Sequence, residues 1–168
     1  TTLVDSVYRR KNVIGGKPLE AGTAETFPVR SPATGELIAD VETGDAPLVD
    51  LAVKTAREGF LEWSALTAYQ REAAIRKAAD HARSRAEEIG KWMALEQGKP
   101  WAQCSKEVIG SCDTLDYFAA EGVRVEGYSN PTEKPNLRSQ VIYQPVGVCA
   151  LITPWNYPVS LLSWKLGP

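Results

Sequence analysis

The sequence predicts an α/β fold in which short β-hairpins and a helical layer lead into a doubly wound parallel sheet. Three observations carry that reading. Residues 12–44 alternate brief β-type runs with turn residues. From Asp45 to Gly122 the apolar spacing switches to the period of amphipathic helices. Residues 146–152, VGVCALI, form an apolar run with no polar alternation, which suits a strand buried on both faces of a parallel sheet.

In chain order, NVIGGKPL (residues 12–19) offers a Gly-Gly turn, and FPVRSPATGELIADV (27–41) offers a Pro-Ala-Thr-Gly turn between two extended pieces, so two short hairpins are expected. Asp45 is placed to cap a first helix, whose inward face reads Leu48, Leu51, Ala52, Thr55, Ala56, Gly59, Phe60 and Trp63. Thr67 and Gln70 have capping-box spacing for a second helix that turns Ala74, Ile75, Ala78 and Ala82 inward. Ser84 with Glu87 would cap a third, ending at Gly98, with Pro100 just beyond to stop it. A fourth helix is expected from Trp101 to Glu121, packing Val108, Cys112, Leu115 and Ala119, with Gly122 as its C-cap. GYSNPTEKPN (127–136) reads as a connection, and the alternation of Leu137, Ser139, Val141 and Tyr143 with polar neighbours reads as a half-exposed strand. Pro158 fits the first turn of a last helix. No internal repeat stands out.

Composition narrows the class of function. A chain of 168 residues suffices for one domain with a core, or for part of a larger one. Apolar residues at 43% and charged residues at 24% are ordinary for a globular chain, which argues against disorder. Nineteen basic against twenty-one acidic residues leave a charge of -2 with no basic stripe, so a nucleic-acid partner is not expected. The opening TTLVDSVYRRKN lacks the apolar core of a signal peptide, and no run approaches the roughly 18 apolar residues that span a bilayer. A cytoplasmic location with no membrane partner is the resulting expectation. Three cysteines, an odd number, argue against a disulfide framework.

The expected order of strand, tight loop and helix at TPWNYP (153–158) is where open α/β sheets receive ligands, beyond the carboxyl end of a strand and near a helix N-terminus. Asn156 there can aim its amide at a developing oxyanion, or it can simply turn the chain and cap the helix. Trp155 can wall a cofactor ring or fill a core. Cys104 and Cys112, eight residues apart on one expected helix, stand about 12 Å apart along its axis and cannot share a metal ion, so no metal site is expected. Cys149, inside the apolar run, reads as a buried inert thiol, and His81 as a surface or packing residue. Neither GxGxxG nor GxxxxGK[ST] occurs, so no phosphate cradle is visible. Glu96-Gln97-Gly98-Lys99-Pro100 reads as a solvated helix end.

The segment QPVGVCALITPWNYPVSLLSWKLGP resembles the PWN[FY]P-containing signature of the NAD(P)-dependent aldehyde dehydrogenase superfamily. SPATGELIADV is similar to the family's early hairpin, ALEQGKP to its E-x-GKP element, and DYFAAEG to the helix that follows, so the resemblance runs from about Val13 to Pro168. It implies the N-terminal part of a Rossmann-like cofactor-binding domain, divided as residues 1–126, an oligomerisation arm over 127–145, and the start of the parallel-sheet core over 146–168. In such enzymes a cysteine thiolate attacks the aldehyde, hydride passes to NAD or NADP, and a glutamate assists hydrolysis of the thioester to the carboxylic acid. The resemblance assigns Asn156 to the oxyanion, Lys165 to a proton relay, and Ile152, Thr153, Pro154 and Trp155 to the cofactor cleft. Tyr157, Leu161 and Trp164 match positions lining the aldehyde tunnel, and the arm implies a homodimer or homotetramer.

None of the three cysteines matches the family nucleophile, and the glutamate has no counterpart here. The expectation is therefore the N-terminal third of an aldehyde dehydrogenase, inactive alone. A short non-catalytic binding or oligomerisation module of the same fold is the alternative, and a free-standing thiol oxidoreductase lacks the CxxC it would need. Neither the aldehyde nor the choice between NAD and NADP is legible.

Overall fold

The computed structural model describes residues 8–19 and 25–168; residues 1–7, which open the segment read for a signal peptide, and 20–24 lie outside it. Both expected hairpins form. β2 (Val13–Ile14) and β3 (Lys17–Pro18) are antiparallel around Gly15 and Gly16, whose φ values of 60° and 74° suit a turn that side-chain-bearing residues enter at a cost. β4 (Thr26–Arg30) pairs antiparallel with β5 (Leu37–Glu42) across the expected SPATGE turn. The sequence reading missed β1 (Tyr8–Arg10), which adds in parallel to the far side of β5 and makes β5 the central strand. Three residues are too few to show a period, so only the partner strand specifies this one. Ile38 and Ala39 of β5 are buried as a result.

Four long helices follow. α1 (Ala46–Ala65) begins where Asp45 accepts the Leu48 N–H at 2.9 Å. Its expected inward face finds little cover, since Leu51 and Trp63 are exposed and Leu48, Ala52 and Phe60 are only half-buried. α2 (Ala68–Ser84) carries the full capping box: Gln70 N–H donates to the Thr67 hydroxyl at 3.2 Å, and Thr67 N–H donates to the Gln70 side chain at 2.9 Å. The stripe that meets α4 centres on Ala79, flanked by Ile75 and Ala82, whereas Ala74 and Ala78, expected inward, are exposed. Ser84 does not cap the third helix. Its hydroxyl donates backward to the His81 carbonyl at 2.8 Å, α2 ends there, and α3 (Ala86–Gln97) starts after Arg85 with no side-chain cap.

Gly98 closes α3 in the left-handed conformation at φ 70°, its N–H donating to Ala94 at 2.9 Å, and Pro100 then opens α4 (Trp101–Val123). α4 runs through Gly122, expected as its C-cap, and the chain turns at Arg124 instead. Gly122 stays helical because Arg124 donates its N–H to Glu121 and ends the helix two residues later.

The core lies where α2 and α3 pack on α4: Ala79, Ala86, Met93, Cys104, Val108 and Cys112 are buried, with Val108 fully so. At the α3–α4 crossing the backbones meet across small residues. A Cβ on Gly90 would stand 2.4 Å from Ser105 Oγ and 2.8 Å from its backbone nitrogen. On the outer side Arg83 of α2 bridges to Asp113 at 3.3 Å and Asp116 at 2.5 Å on α4, which fixes the helix pair in register. Among the described residues no helix is long and apolar enough to cross a membrane.

After α4 the chain forms a hairpin of β6 (Tyr128–Asn130) and β7 (Ser139–Val141), shorter than the strand expected over 137–143. The run 146–152 is not paired into a sheet, and apart from half-buried Gly147 it is exposed. This departs from the expected buried strand for a physical reason. Such a strand exists only through neighbours that take up its N–H and C=O groups, and none of the described strands pairs with it. α5 (Pro158–Leu166) follows with Pro158 in its first turn and packs against α4.

The α3–α4 crossing predicts opposite effects for two glycines. Gly90→Ala should lower stability by about 1–3 kcal/mol through the clash with Ser105. Gly110→Ala on the open side of α4 meets no atom within 4 Å and should raise it by up to about 1 kcal/mol. Urea unfolding of the two variants beside wild type measures both.

Candidate functional site

The turn between the third and fourth helices and the start of the fifth meet around one buried carboxylate. Glu107 sits on the inward stripe of α4, one turn beyond Cys104, and its side chain is only 3% exposed. Such a group is costly to bury unless its oxygens are satisfied. Lys99, which follows the Gly98 turn, donates from Nζ to Glu107 Oε2 at 2.7 Å, and the Ser160 backbone N–H in the first turn of α5 donates to Oε1 at 3.3 Å. Ser111, one turn along α4, donates to the Glu107 carbonyl at 2.7 Å and lies 3.4 Å from the Ser160 hydroxyl.

This arrangement supplies α5 with the cap its own sequence lacks. Tyr157 occupies the N-cap position without a side-chain hydrogen bond, and Pro158 has no N–H to offer. A carboxylate from α4 takes the role instead, at the end of the helix where the macrodipole favours negative charge. Burial acts to lower the Lys99 pKa, but the hydrogen bond and charge of Glu107 outweigh it and hold the ammonium above its ordinary value. Lys99 Nζ also stands 3.8 Å from the centroid of the Tyr157 ring. So Lys99 is not the solvated helix end that its GKP context indicated. The available signal was a carboxylate on an otherwise apolar stripe, eight residues after a lysine.

The residues assigned by resemblance occupy one continuous stretch of surface. Ile152 and Trp155 are each 82% exposed, and Thr153, Pro154 and Asn156 are exposed with them. Trp155 and Pro158 line a cleft with Pro28, Pro32, Glu96 and Gln97, which joins the β4–β5 hairpin and the end of α3 to the TPWNYP turn. Sequence reasoning had not linked these segments. Tyr157 is half-exposed on Lys99; Leu161 is half-buried and Trp164 exposed. Lys165 is exposed, with Nζ donating to the Leu161 carbonyl at 3.3 Å, so its two other N–H bonds face outward. The four residues from Ile152 to Trp155 present one exposed stretch with two apolar side chains, Ile152 and Trp155, at its ends.

The thiols divide differently from expectation. Cys104 and Cys112 are buried on α4, and burial pushes both pKa values up, against the opposing pull of Lys99 on the first and Arg83 on the second. Cys149, expected to be buried, is exposed because residues 146–152 lack sheet neighbours. His81 is exposed.

Residues 19–168 match the aldehyde dehydrogenase family, and the chain belongs to it. It is 39% identical over 162 residues to the mitochondrial succinate-semialdehyde dehydrogenase of Arabidopsis thaliana, covering 96% of this chain and 31% of that protein. With the glutarate-semialdehyde dehydrogenase of Pseudomonas putida it shares 35% identity over 96% of this chain and 34% of the relative. The crystal structure of an NAD-dependent aldehyde dehydrogenase from Sinorhizobium meliloti superposes with a TM-score of 0.91 at 29% identity, over 99% of this chain and 35% of that one. The chain thus spans about a third of the length of the relatives it matches. Its fold is the N-terminal part of the family's Rossmann-like NAD-binding domain, which agrees with the fold class read from the sequence.

Two measurements check this geometry on the 168-residue chain. Titration with a thiol reagent should find one fast cysteine, Cys149, and two that react only on unfolding. Lys99→Met should cost about 3 kcal/mol or more in urea unfolding by stranding the Glu107 carboxylate, and Lys99→Met/Glu107→Gln should recover most of that loss by removing the charge.

Proposed function

We propose that the protein carrying this chain oxidises an aldehyde to a carboxylic acid with NAD or NADP. The observation that carries the reading is the family match over residues 19–168, which contains the exposed TPWNYP turn at the head of α5. A nicotinamide cofactor, when bound, supplies the hydride acceptor. Ile152, Thr153, Pro154 and Trp155 form one wall of its cleft. Asn156 directs its side-chain N–H at the oxygen of the aldehyde as negative charge develops there, and Lys165 holds and passes a proton through its outward N–H groups. Tyr157, Leu161 and Trp164 line the aldehyde's path. The nucleophilic cysteine and the hydrolytic glutamate have no counterpart among Cys104, Cys112 and Cys149 or at the site, so the 168-residue chain does not turn over alone.

The substrate class we favour is a short semialdehyde with a carboxylate at its far end. Two relatives named for succinate and glutarate semialdehydes support it. Lys99 bears on it as well. With an ammonium already over the Tyr157 ring, that face is closed to a trimethylammonio- or amino-aldehyde seeking a cation–π contact. Residues 127–145 serve as the arm of a homodimer or homotetramer, and cytoplasmic action belongs to the same proposal.

In the full-length protein, NAD(P)H formation should be fastest per unit substrate with a carboxylated semialdehyde, ahead of amino-, trimethylammonio- and plain aliphatic aldehydes. A preference for the trimethylammonio compound would sink the substrate class, and no turnover with any aldehyde would sink the enzymatic reading. Asn156→Ala should slow hydride transfer by about a hundredfold or more while leaving nicotinamide binding nearly unchanged. Undiminished turnover in that variant removes the oxyanion role.

A further inference from the structure

We infer that Glu107, paired with Lys99, is a positioning residue for Asn156: the pair fixes the first turn of α5 from outside the helix and so sets the backbone position from which the Asn156 amide acts. The inference rests on the oxyanion role proposed above for Asn156.

Asn156 itself is exposed, and among the described residues no side-chain hydrogen bond holds it. The place from which its amide can act is therefore set by the backbone on either side, and on the helical side that backbone is pinned at two points. Ser160 is tied through its N–H to Glu107 Oε1 at 3.3 Å. Tyr157, directly after Asn156, is held through its ring by Lys99 Nζ at 3.8 Å. Both anchors converge on one ion pair, Lys99 Nζ to Glu107 Oε2 at 2.7 Å, with side-chain exposures of only 17% and 3%. No substitute lies within α5, because its N-cap makes no side-chain bond and proline fills its first position.

Charge gives the pair its form. A neutral cap such as Ser or Asn at the N-cap would be local to the helix and could move with it. A carboxylate 53 residues away in sequence ties α5 to α4 instead. Left unneutralised, that carboxylate would be an uncompensated buried charge at the head of α5. Lys99 cancels it at 2.7 Å. Because the ammonium also lies on the Tyr157 ring, the ion pair, the aromatic wall and the helix start move as one unit.

The test uses the full-length enzyme and four proteins: wild type, Glu107→Ala, Asn156→Ala and the double variant. Glu107→Ala should lower the single-turnover rate of hydride transfer at least tenfold, with the dissociation constant for the nicotinamide cofactor within threefold of wild type. In the Asn156→Ala background the same change should cost less than threefold, since a residue that acts through Asn156 has nothing left to position. A full tenfold loss in that background, or a Glu107→Ala rate within twofold of wild type, overturns the inference. Should Glu107→Ala not fold, Glu107→Asp carries the same cycle, because it keeps the buried charge while shortening the reach by one methylene. Failure of the oxyanion reading is recognised separately, by Asn156→Ala turning over like wild type whatever happens at Glu107.

Discussion

The buried carboxylate of Glu107 is the constraint around which the functional end of this chain is arranged. A charged group in the apolar interface of α4 is tolerated because each of its oxygens is given a donor: the Lys99 ammonium from the α3–α4 turn and the Ser160 N–H from α5. Satisfying one side chain therefore places three segments at once. The Gly98 turn must deliver Lys99 inward, α4 must present Glu107 one turn before Ser111, and α5 must start where its amide meets the carboxylate.

Beneath that junction the packing is made of small residues. Ala79, Ala86, Cys104 and Cys112 let the helices approach closely, and Gly90 lets α3 lie against the backbone of Ser105. Close approach sharpens position, since a helix that contacts backbone has few alternative seats. The outer arginine bridges add little energy, each worth up to about 1 kcal/mol at an exposed site, but they hold α2 in register with α4. Gly98 joins this frame to the β4–β5 hairpin, because a Cβ there would lie 3.0 Å from Pro32, and Pro32 in turn borders the cleft with Trp155.

Membership of the aldehyde dehydrogenase family places the exposed surfaces in context. The chain spans about a third of its relatives' length, and among the described residues Val146, Leu151 and Ile152 of the run 146–152 and Leu51, Leu61 and Trp63 of α1 are exposed. Exposed Val146, Ile152 and Trp155 lie in one stretch with the assigned cofactor wall.

What the sequence determined by itself were the features written in local chemistry. Asp45, the Thr67 and Gln70 capping box and Gly98 fix their helix ends through bonds to residues one turn away, and Pro158 marks one through its own fixed φ, so a short window contains that information. The family resemblance was legible for a similar reason, because its motifs are contiguous. Tertiary structure alone decided the rest. β1 exists through its pairing with β5; Ser84 turned backward rather than forward; α1 kept its apolar face uncovered; and residues 146–152 formed no strand without neighbours. Lys99 and Glu107 are the clearest case. Lys99 reads in sequence as part of a solvated helix end and Glu107 went unread, and only the folding of α4 against α5 removes the water that would have solvated them, which turns two separate charges into one buried clamp.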